Sequence, residues 1–176
     1  MQVYFMRHGQ TNYNVQSLCN DDPKIDVHLT HTGIEQAEIV ANKLKDKNIQ
    51  RIIVSELPRT RQTADIINQY HNAPIEQRPE INDIRTGFDS KAVIEYQRTI
   101  AHDPLHTKIN DGESLMDHRE RVLKFLEWLR LQPETSILVV AHEETMRVFY
   151  GHFHKMIMED IIKLSFDNCS YIEFNL

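Results

Sequence analysis

The chain has 176 residues, of which 40% are hydrophobic and 26% charged, and its formal net charge is −6. A chain of this length buries roughly two-thirds of its unfolded surface in one core, so the sequence predicts a single domain over residues 1–176. The acidic surplus argues against a nucleic-acid partner or an anionic membrane, because both need clustered Lys and Arg. Residues 1–6 are far short of the ~20 apolar residues of a membrane span, so we expect a cytoplasmic protein.

Three short apolar runs predict buried strands, and each is followed by polar residues. The runs cover residues 2–6, 51–54 and 136–141. They lead into RHG, SELPR and AHEE, so each predicted strand ends beside a basic or titratable side chain.

Helices are predicted between these strands, because apolar residues recur there at steps of three and four. The first helix, over 32–47, is expected to open with a capping box of Thr32 and Glu35. Weak periodicity over 71–112 predicts loops around one short helix, with a small cap or loop region at 84–111. The remaining predictions are a helix after 51–54 with Ala64, Ile67 and Tyr70 on one face, a long helix over 115–129, a helix over 143–151 and a closing strand over 170–174.

This alternation of strands and helices predicts a three-layer α/β/α sandwich with a mostly parallel central sheet. Ligands of such folds bind outside the carboxyl ends of the strands. We therefore expect Arg7, His8, Arg59 and His142 to converge at one edge of the sheet.

The chemistry of these four side chains points to phosphoryl transfer. Two guanidinium groups match the oxygens of a phosphate, and gathering them in one pocket favours a bound anion. A neutral imidazole can attack phosphorus, which makes His8 the candidate nucleophile. Arg7, Arg59 and a protonated His142 would then stabilise the transferring group, so no metal and no cofactor is expected.

A leaving alkoxide also requires a proton from an acidic group at the mouth of the pocket. Asp83 is the preferred candidate for this general acid. Glu80 and Glu143 are the alternatives.

Six short motifs follow one another along nearly the whole chain. They are Arg7-His8-Gly9 with Thr11 and Asn14, LTHTGIEQA from Leu29, SELPRTRQTA at 55–64, GES at 112–114, VVAH at 139–142 and NCS at 168–170. Their ordered combination resembles the histidine phosphatase superfamily, in its phosphoglycerate-mutase-like branch.

The resemblance implies a role for each matching residue. His8 would become the phosphohistidine, and Arg7, Arg59 and His142 would bind the phosphoryl oxygens. Asn14 would contact the same group. The implied partner is a phosphorylated small molecule, with a phosphoprotein as the other option.

Three positions depart from the family pattern. Asp83 stands where Glu is usual, and Glu143 and Glu144 stand where small residues such as Gly are usual. The extra negative charge would raise the pKa of His142, or would repel a phosphate if it pointed inward. Glu113 of the GES motif is interpreted as a residue that opens the long helix, where a carboxylate suits the helix dipole.

The favoured function is a phosphomonoesterase that passes through a phosphohistidine on His8. A mutase of the phosphoglycerate type is the first alternative, but the segment 84–111 is short for the large cap that such enzymes carry. A phosphate- or phosphoprotein-binding module with little turnover is the second alternative.

Overall fold

The computed structural model describes all residues from Met1 to Leu176 and contains one five-stranded sheet covered by helices on both faces. The strands are β1 (Gln2–Arg7), β2 (Arg51–Val54), β3 (Ile75–Gln77), β4 (Ser136–Ala141) and β5 (Tyr171–Asn175). The helices are α1 (Asn12–Gln16), α2 (His31–Leu44), α3 (Pro58–Asn68), α4 (Val93–Ile100), α5 (Leu115–Leu129), α6 (Glu143–Phe153) and α7 (Met158–Ile161), and a 3-10 turn covers Pro79–Ile81. No helix combines the length and the apolar character that crossing a membrane requires.

The strand order is β3-β2-β4-β1-β5, with β4 at the centre. Strand β4 runs parallel to β1 and β2, and β2 runs parallel to β3. Only the edge strand β5 is antiparallel, where it pairs with β1. These pairings confirm the predicted α/β fold with a mostly parallel sheet.

Alternation along the buried strands divides the core into two layers, because successive side chains of a strand point to opposite faces. Leu138 and Val140 of β4 pack with helices α2 and α3. Ile137 and Val139 pack with α5 and α6 on the other face. All six residues of β4 are buried, which explains why its sequence is a continuous apolar run.

The strand register brings the carboxyl ends of β1, β2 and β4 to the same height. Arg7 lies opposite Ala141, and Val54 lies opposite Val140. The residues that follow these pairs, His8, Ser55 and His142, therefore emerge side by side at one edge of the sheet.

The start of helix α2 differs from the predicted capping box. The cap is Thr30, whose hydroxyl accepts a hydrogen bond from the Gly33 N–H at 3.1 Å. The predicted capping box of Thr32 and Glu35 is wrong, because both residues already lie inside the helix with exposed side chains. The isolated sequence pattern suits either threonine, and only the loop that enters the helix selects Thr30.

Two other local predictions need correction. Helix α3 ends at Asn68, so Tyr70 lies beyond it and is half exposed instead of sharing the buried face of Ala64 and Ile67. Within 71–112 the one short helix is α4, but the weak periodicity predicts neither β3 nor the 3-10 turn. Strand β3 has only three residues and none of them is buried, so only its pairing with β2 reveals it.

Gly33 packs directly against the backbone that carries the site. A Cβ atom at Gly33 would overlap the Gln10 carbonyl oxygen, and a Cβ at Gly9 would overlap the Gly33 carbonyl oxygen. The loop after β1 therefore touches the first turn of α2 backbone to backbone, and this contact requires glycine on both sides.

We expect Gly33→Ala to lower the free energy of unfolding by about 1–3 kcal/mol, because the methyl group has no space. Helix propensity alone would predict a gain of roughly 1 kcal/mol from the same change. Urea denaturation decides between the two signs. Glu38→Ala, at an exposed position of the same helix, is the matched control, and a stabilised Gly33→Ala protein would contradict the close contact.

Candidate active site

His8 lies at the end of β1 with its ring almost completely buried, at 3% exposure. Its Nδ1 is 2.7 Å from the Gly9 carbonyl oxygen, an acceptor, so Nδ1 carries the proton and donates it there. The other ring nitrogen, Nε2, is therefore unprotonated and accepts a hydrogen bond from Arg59 Nε at 3.1 Å. The fold thus fixes one tautomer of His8, with the electron pair of Nε2 turned to Arg59 Nε.

Arg59 is held beside His8 by three further hydrogen bonds. It is the second residue of helix α3, next to Pro58, and is buried. Its Nη1 donates to the Asn20 side chain at 2.6 Å, and its Nη2 donates to the Asn20 carbonyl oxygen and to Asp83 Oδ2. The guanidinium group is therefore fixed in place before any ligand binds.

His142 completes the buried trio from the end of β4, with its ring centre 5.2 Å from that of His8. The 3.6 Å approach of Asp83 Oδ2 to His142 Nδ1 favours a proton on Nδ1, and the following set of neighbouring hydrogen bonds is consistent with that tautomer. Thr60 donates to the Leu57 carbonyl oxygen, the Leu57 N–H donates to the Ser55 hydroxyl, and Ser55 donates to His142 Nε2 at 2.8 Å. In that set the His142 proton is on Nδ1, which is buried and has no hydrogen-bond partner.

Both imidazoles are uncharged in the free site. Burial is the main cause that holds the pKa of His8 well below its ordinary value, and the charges of Arg59 and Arg7 lower it further. Burial also lowers the pKa of His142 strongly, followed by the effects of Arg59 and His8. The expectation of a protonated His142 is therefore wrong for the free site.

The expected effect of Glu143 and Glu144 on His142 is also wrong. Glu143 binds Arg7 through Oε2 at 2.8 Å and Arg147 through Oε1 at 3.1 Å, and Glu144 binds Arg147 at 2.6 Å. These arginines neutralise much of the charge of the two carboxylates, and burial holds the pKa of His142 well below its ordinary value despite their presence.

Asp83 lies between Arg59 and His142. Its Oδ2 is 3.0 Å from Arg59 Nη2 and 3.6 Å from His142 Nδ1. Of the two alternatives, Glu80 pairs with Arg78 at 2.6 Å and does not line the cavity of the site. Glu143 does line the cavity, but it is committed to Arg7 and Arg147.

Arg7 and Asn14 also face the cavity. Arg7 donates to the Phe166 carbonyl oxygen and binds Glu143, while its buried Nε has no partner. Asn14 uses its side-chain oxygen to accept from the Thr11 N–H at 3.0 Å, and no hydrogen bond within the protein uses its amide nitrogen. The structure therefore brings together all the predicted residues: His8, Asp83, His142, Arg7, Asn14 and Arg59.

Sequence reasoning missed the support behind Asp83. Glu113 is buried and binds Arg121, whose Nε lies 3.0 Å from Oε2. Arg121 in turn donates to the carbonyl oxygens of Glu80, Asn82 and Asp83. The pair thus holds the loop that carries Asp83.

The interpretation of Glu113 as a helix-opening residue is wrong. Ser114 is the cap of α5 and forms its capping box with Asp117, which leaves Glu113 outside the helix. Burial would raise the pKa of Glu113, but contacts with His118 and Arg121 outweigh it and hold the pKa far below the ordinary value. An Arg eight residues after the GES glutamate was the available signal, since a buried carboxylate needs a cation.

The loop that holds Arg59 is joined to the segment that precedes α4. Asp89 accepts hydrogen bonds from the Asn20 side chain and from the Asp21 N–H, and Asp21 accepts one from the Thr86 N–H. Backbone hydrogen bonds link Cys19 to residues 90 and 91 as well. The segments 17–22 and 86–93 therefore form one connected wall beside the site.

A cavity of about 390 Å³ opens above these side chains. His8, Arg7, Arg59 and Asp83 lie among its lining residues, together with Tyr96 of α4 and several aliphatic side chains. The polar end suits an anion, because it combines two fixed guanidinium groups with unused hydrogen-bond donors.

Comparisons with known proteins agree with this geometry. The family model described as "Histidine phosphatase superfamily (branch 1)" matches residues 3–176. The "Probable phosphoglycerate mutase GpmB" of Escherichia coli is 32% identical over 151 residues, which cover 81% of this chain and 69% of that protein.

Two solved structures are similar in fold. The α-ribazole phosphatase of Shigella flexneri has a TM-score of 0.90 at 24% identity, covering 100% of this chain and 91% of that one. The mycobacterial glucosyl-3-phosphoglycerate phosphatase, solved with VO3, has a TM-score of 0.82 at 20% identity, covering 98% of this chain and 90% of that one.

The buried neutral imidazoles predict that acid destabilises the protein. The unfolded chain takes up protons near pH 6.5, while the folded His8 and His142 do so only at lower pH. The unfolded state then binds more protons, so the stability present above pH 6.5 is lost as the pH falls through the lowered pKa values. Each imidazole contributes a slope of up to about 1.4 kcal/mol per pH unit in that window.

Urea denaturation between pH 7.5 and 5.5 measures this slope. We expect His142→Asn to reduce it, and His31→Asn, at an exposed position, to leave it unchanged. Asp21 changes the pH dependence of stability in the opposite direction, because burial and Asp89 raise its pKa to about 6. Both variants retain Asp21, so its contribution cancels when their slopes are compared. Equal slopes in wild type and His142→Asn would contradict a buried neutral His142.

Proposed function

The chain belongs to the histidine phosphatase superfamily, branch 1, and from that premise we propose that it hydrolyses phosphomonoesters through a phosphohistidine on His8. The observation that carries this proposal is the state of His8. Its ring is neutral, its Nδ1 proton is bound to the Gly9 carbonyl oxygen, and its Nε2 electron pair faces Arg59. An arginine that binds the phosphoryl group would thus bring it to the nucleophile.

The unused donors support an anion in front of His8. Arg7 Nε and His142 Nδ1 are buried without partners, and Asn14, whose amide nitrogen donates no hydrogen bond within the protein, lines the cavity beside Arg7. Burying polar groups without partners costs free energy, and phosphoryl oxygens would satisfy them. In this role His142 acts as a neutral donor through its Nδ1 proton.

In the first step the Nε2 electron pair of His8 attacks phosphorus, and the bond from phosphorus to the ester oxygen breaks. Asp83 gives its proton to the departing oxygen, and the alcohol leaves. A bound phosphate would compete with Asp83 for Arg59 Nη2, which frees the carboxyl group to face the departing oxygen.

In the second step water attacks phosphorus of the phosphohistidine. The carboxylate of Asp83 takes a proton from that water, and the bond from phosphorus to Nε2 breaks. Inorganic phosphate leaves, and His8 and Asp83 return to their starting forms. The two arginines supply the positive charge that other phosphoryl-transfer sites take from metal ions.

A phosphoglycerate-mutase-type phosphotransferase is the alternative that the Escherichia coli relative favours by its name. Such an enzyme must shield the phosphohistidine from water and return the phosphoryl group to a substrate. Within 84–111 this chain has a single helix, α4, of eight residues. We favour hydrolysis because so small a cover gives little shielding, and we place the reaction in the cytoplasm on the composition alone.

We expect His8→Ala to reduce phosphate release from p-nitrophenyl phosphate by at least about a thousandfold, because no other group can form the covalent intermediate. The assay uses metal-free buffer with a chelator, and quenched wild-type enzyme should hold acid-labile phosphate on His8. His31→Ala is the control. Unchanged turnover would refute the nucleophile, and phosphate binding without turnover in the wild type would favour a binding module.

We expect Asp83→Asn to slow hydrolysis of an alkyl phosphate by about a hundredfold or more. Hydrolysis of p-nitrophenyl phosphate should fall much less, because nitrophenolate leaves without a proton. Initial rates with both esters give the ratio, and Glu80→Gln and Glu143→Gln are the matched variants. If Glu80→Gln shows the dependence on the leaving group and Asp83→Asn does not, the acid is wrongly assigned.

A further inference from the structure

The cavity beyond the phosphate end is lined mainly by apolar side chains. Six of these side chains come from four parts of the chain. They are Leu18 of the segment that carries Asn20, Ile84 next to Asp83, Val93, Tyr96 and Ile100 of α4, and Leu115 of α5. Such a surface gains free energy when an apolar group displaces water from it. A small polyol would leave most of this wall in contact with water.

Outside the phosphate end, the charged side chains that line the cavity are paired with one another. Arg7, Arg59 and Arg147 are the only arginine or lysine residues in its lining. Arg7 and Arg59 belong to the phosphate end. Arg147 binds Glu143 and Glu144, and its Nε donates to the Leu164 carbonyl oxygen at 2.7 Å.

A phosphate that binds Arg7 shares that cation with Glu143. Arg7 then neutralises Glu143 less completely, and Glu143 and Glu144 carry more uncompensated negative charge. A substrate carboxylate would therefore meet two carboxylates and no free cation, and juxtaposed like charges cost several kcal/mol.

We propose that the substrate is a phosphomonoester of an uncharged, largely apolar alcohol or phenol, and that Glu143 and Glu144 discriminate against leaving groups that carry a carboxylate. This inference rests on the proposed phosphatase function. It assigns a role to the two glutamates that stand where the family pattern has small residues. The apolar wall supplies the attraction, and the two glutamates supply the rejection.

Three esters that differ in one substituent test the proposal. They are 2-phenylethyl phosphate and its analogues with a carboxylate or an aminomethyl group at the para position of the ring. We expect kcat/KM for the uncharged ester to exceed that for the carboxylate by at least about tenfold, a difference within reach of one unfavourable pocket contact. The ammonium ester should fall between the two, because the apolar wall removes its hydration while the negative charge of the two glutamates attracts it.

Two variants separate the attraction of the apolar wall for the leaving group from the repulsion of a carboxylate by the two glutamates. The double variant Glu143→Gln, Glu144→Gln should narrow the ratio of uncharged to carboxylate ester to about threefold or less, because the acidic pair is gone. Using a ratio cancels any change in phosphate binding when Arg7 loses Glu143. Tyr96→Ala should lower kcat/KM for the uncharged ester by about tenfold and so reduce the ratio. Glu159→Gln, at an exposed position outside the cavity, should leave the ratio unchanged.

The outcomes distinguish this inference from the function on which it rests. If the wild type releases phosphate from none of the esters and none from p-nitrophenyl phosphate, the phosphatase itself is refuted. If it hydrolyses all three esters equally, or prefers the carboxylate or the ammonium ester, the phosphatase stands and the substrate class is overturned. A ratio unchanged in the double variant removes the role of the glutamates.

Discussion

The ring of His8 is buried beside two permanently charged arginines, and this environment forces it to stay uncharged. The same burial leaves only one arrangement of its proton, because the Gly9 carbonyl oxygen can accept and Arg59 Nε can donate. Every other part of the site follows from that constraint. Asn20 and Asp83 hold Arg59 so that its Nε meets the free electron pair, and the loop after β1 must approach α2 closely enough to carry the ring.

The parallel sheet brings these residues together without long connecting loops. Three adjacent strands end at the same height, so side chains separated by as much as 134 positions meet without long connecting loops. What the strands do not supply is the acid, which sits on a loop. Arg121 compensates by donating to three backbone carbonyl oxygens of that loop, and Glu113 keeps the guanidinium group in place.

Periodicity and strand ends predicted the sheet and the convergence of Arg7, His8, Arg59 and His142, because these depend on local patterns and on one rule of α/β topology. The failures share a different cause. Thr30, Glu113 and the charge state of His142 depend on partners distant in the chain or on burial, which no local pattern records. The two glutamates were recognised as unusual, yet only coordinates reveal that their charge is taken by Arg7 and Arg147.

The joined segments 17–22 and 86–93 bear on how such a protein acquires a new specificity. One of them carries Asn20, which fixes Arg59, and the other leads into the helix that lines the cavity. A cap transplanted from a relative without its companion loop would lose Asp89 from beneath Asn20 and loosen the arginine. The two stretches therefore form one exchangeable unit, and successful chimeras should inherit both from the same parent.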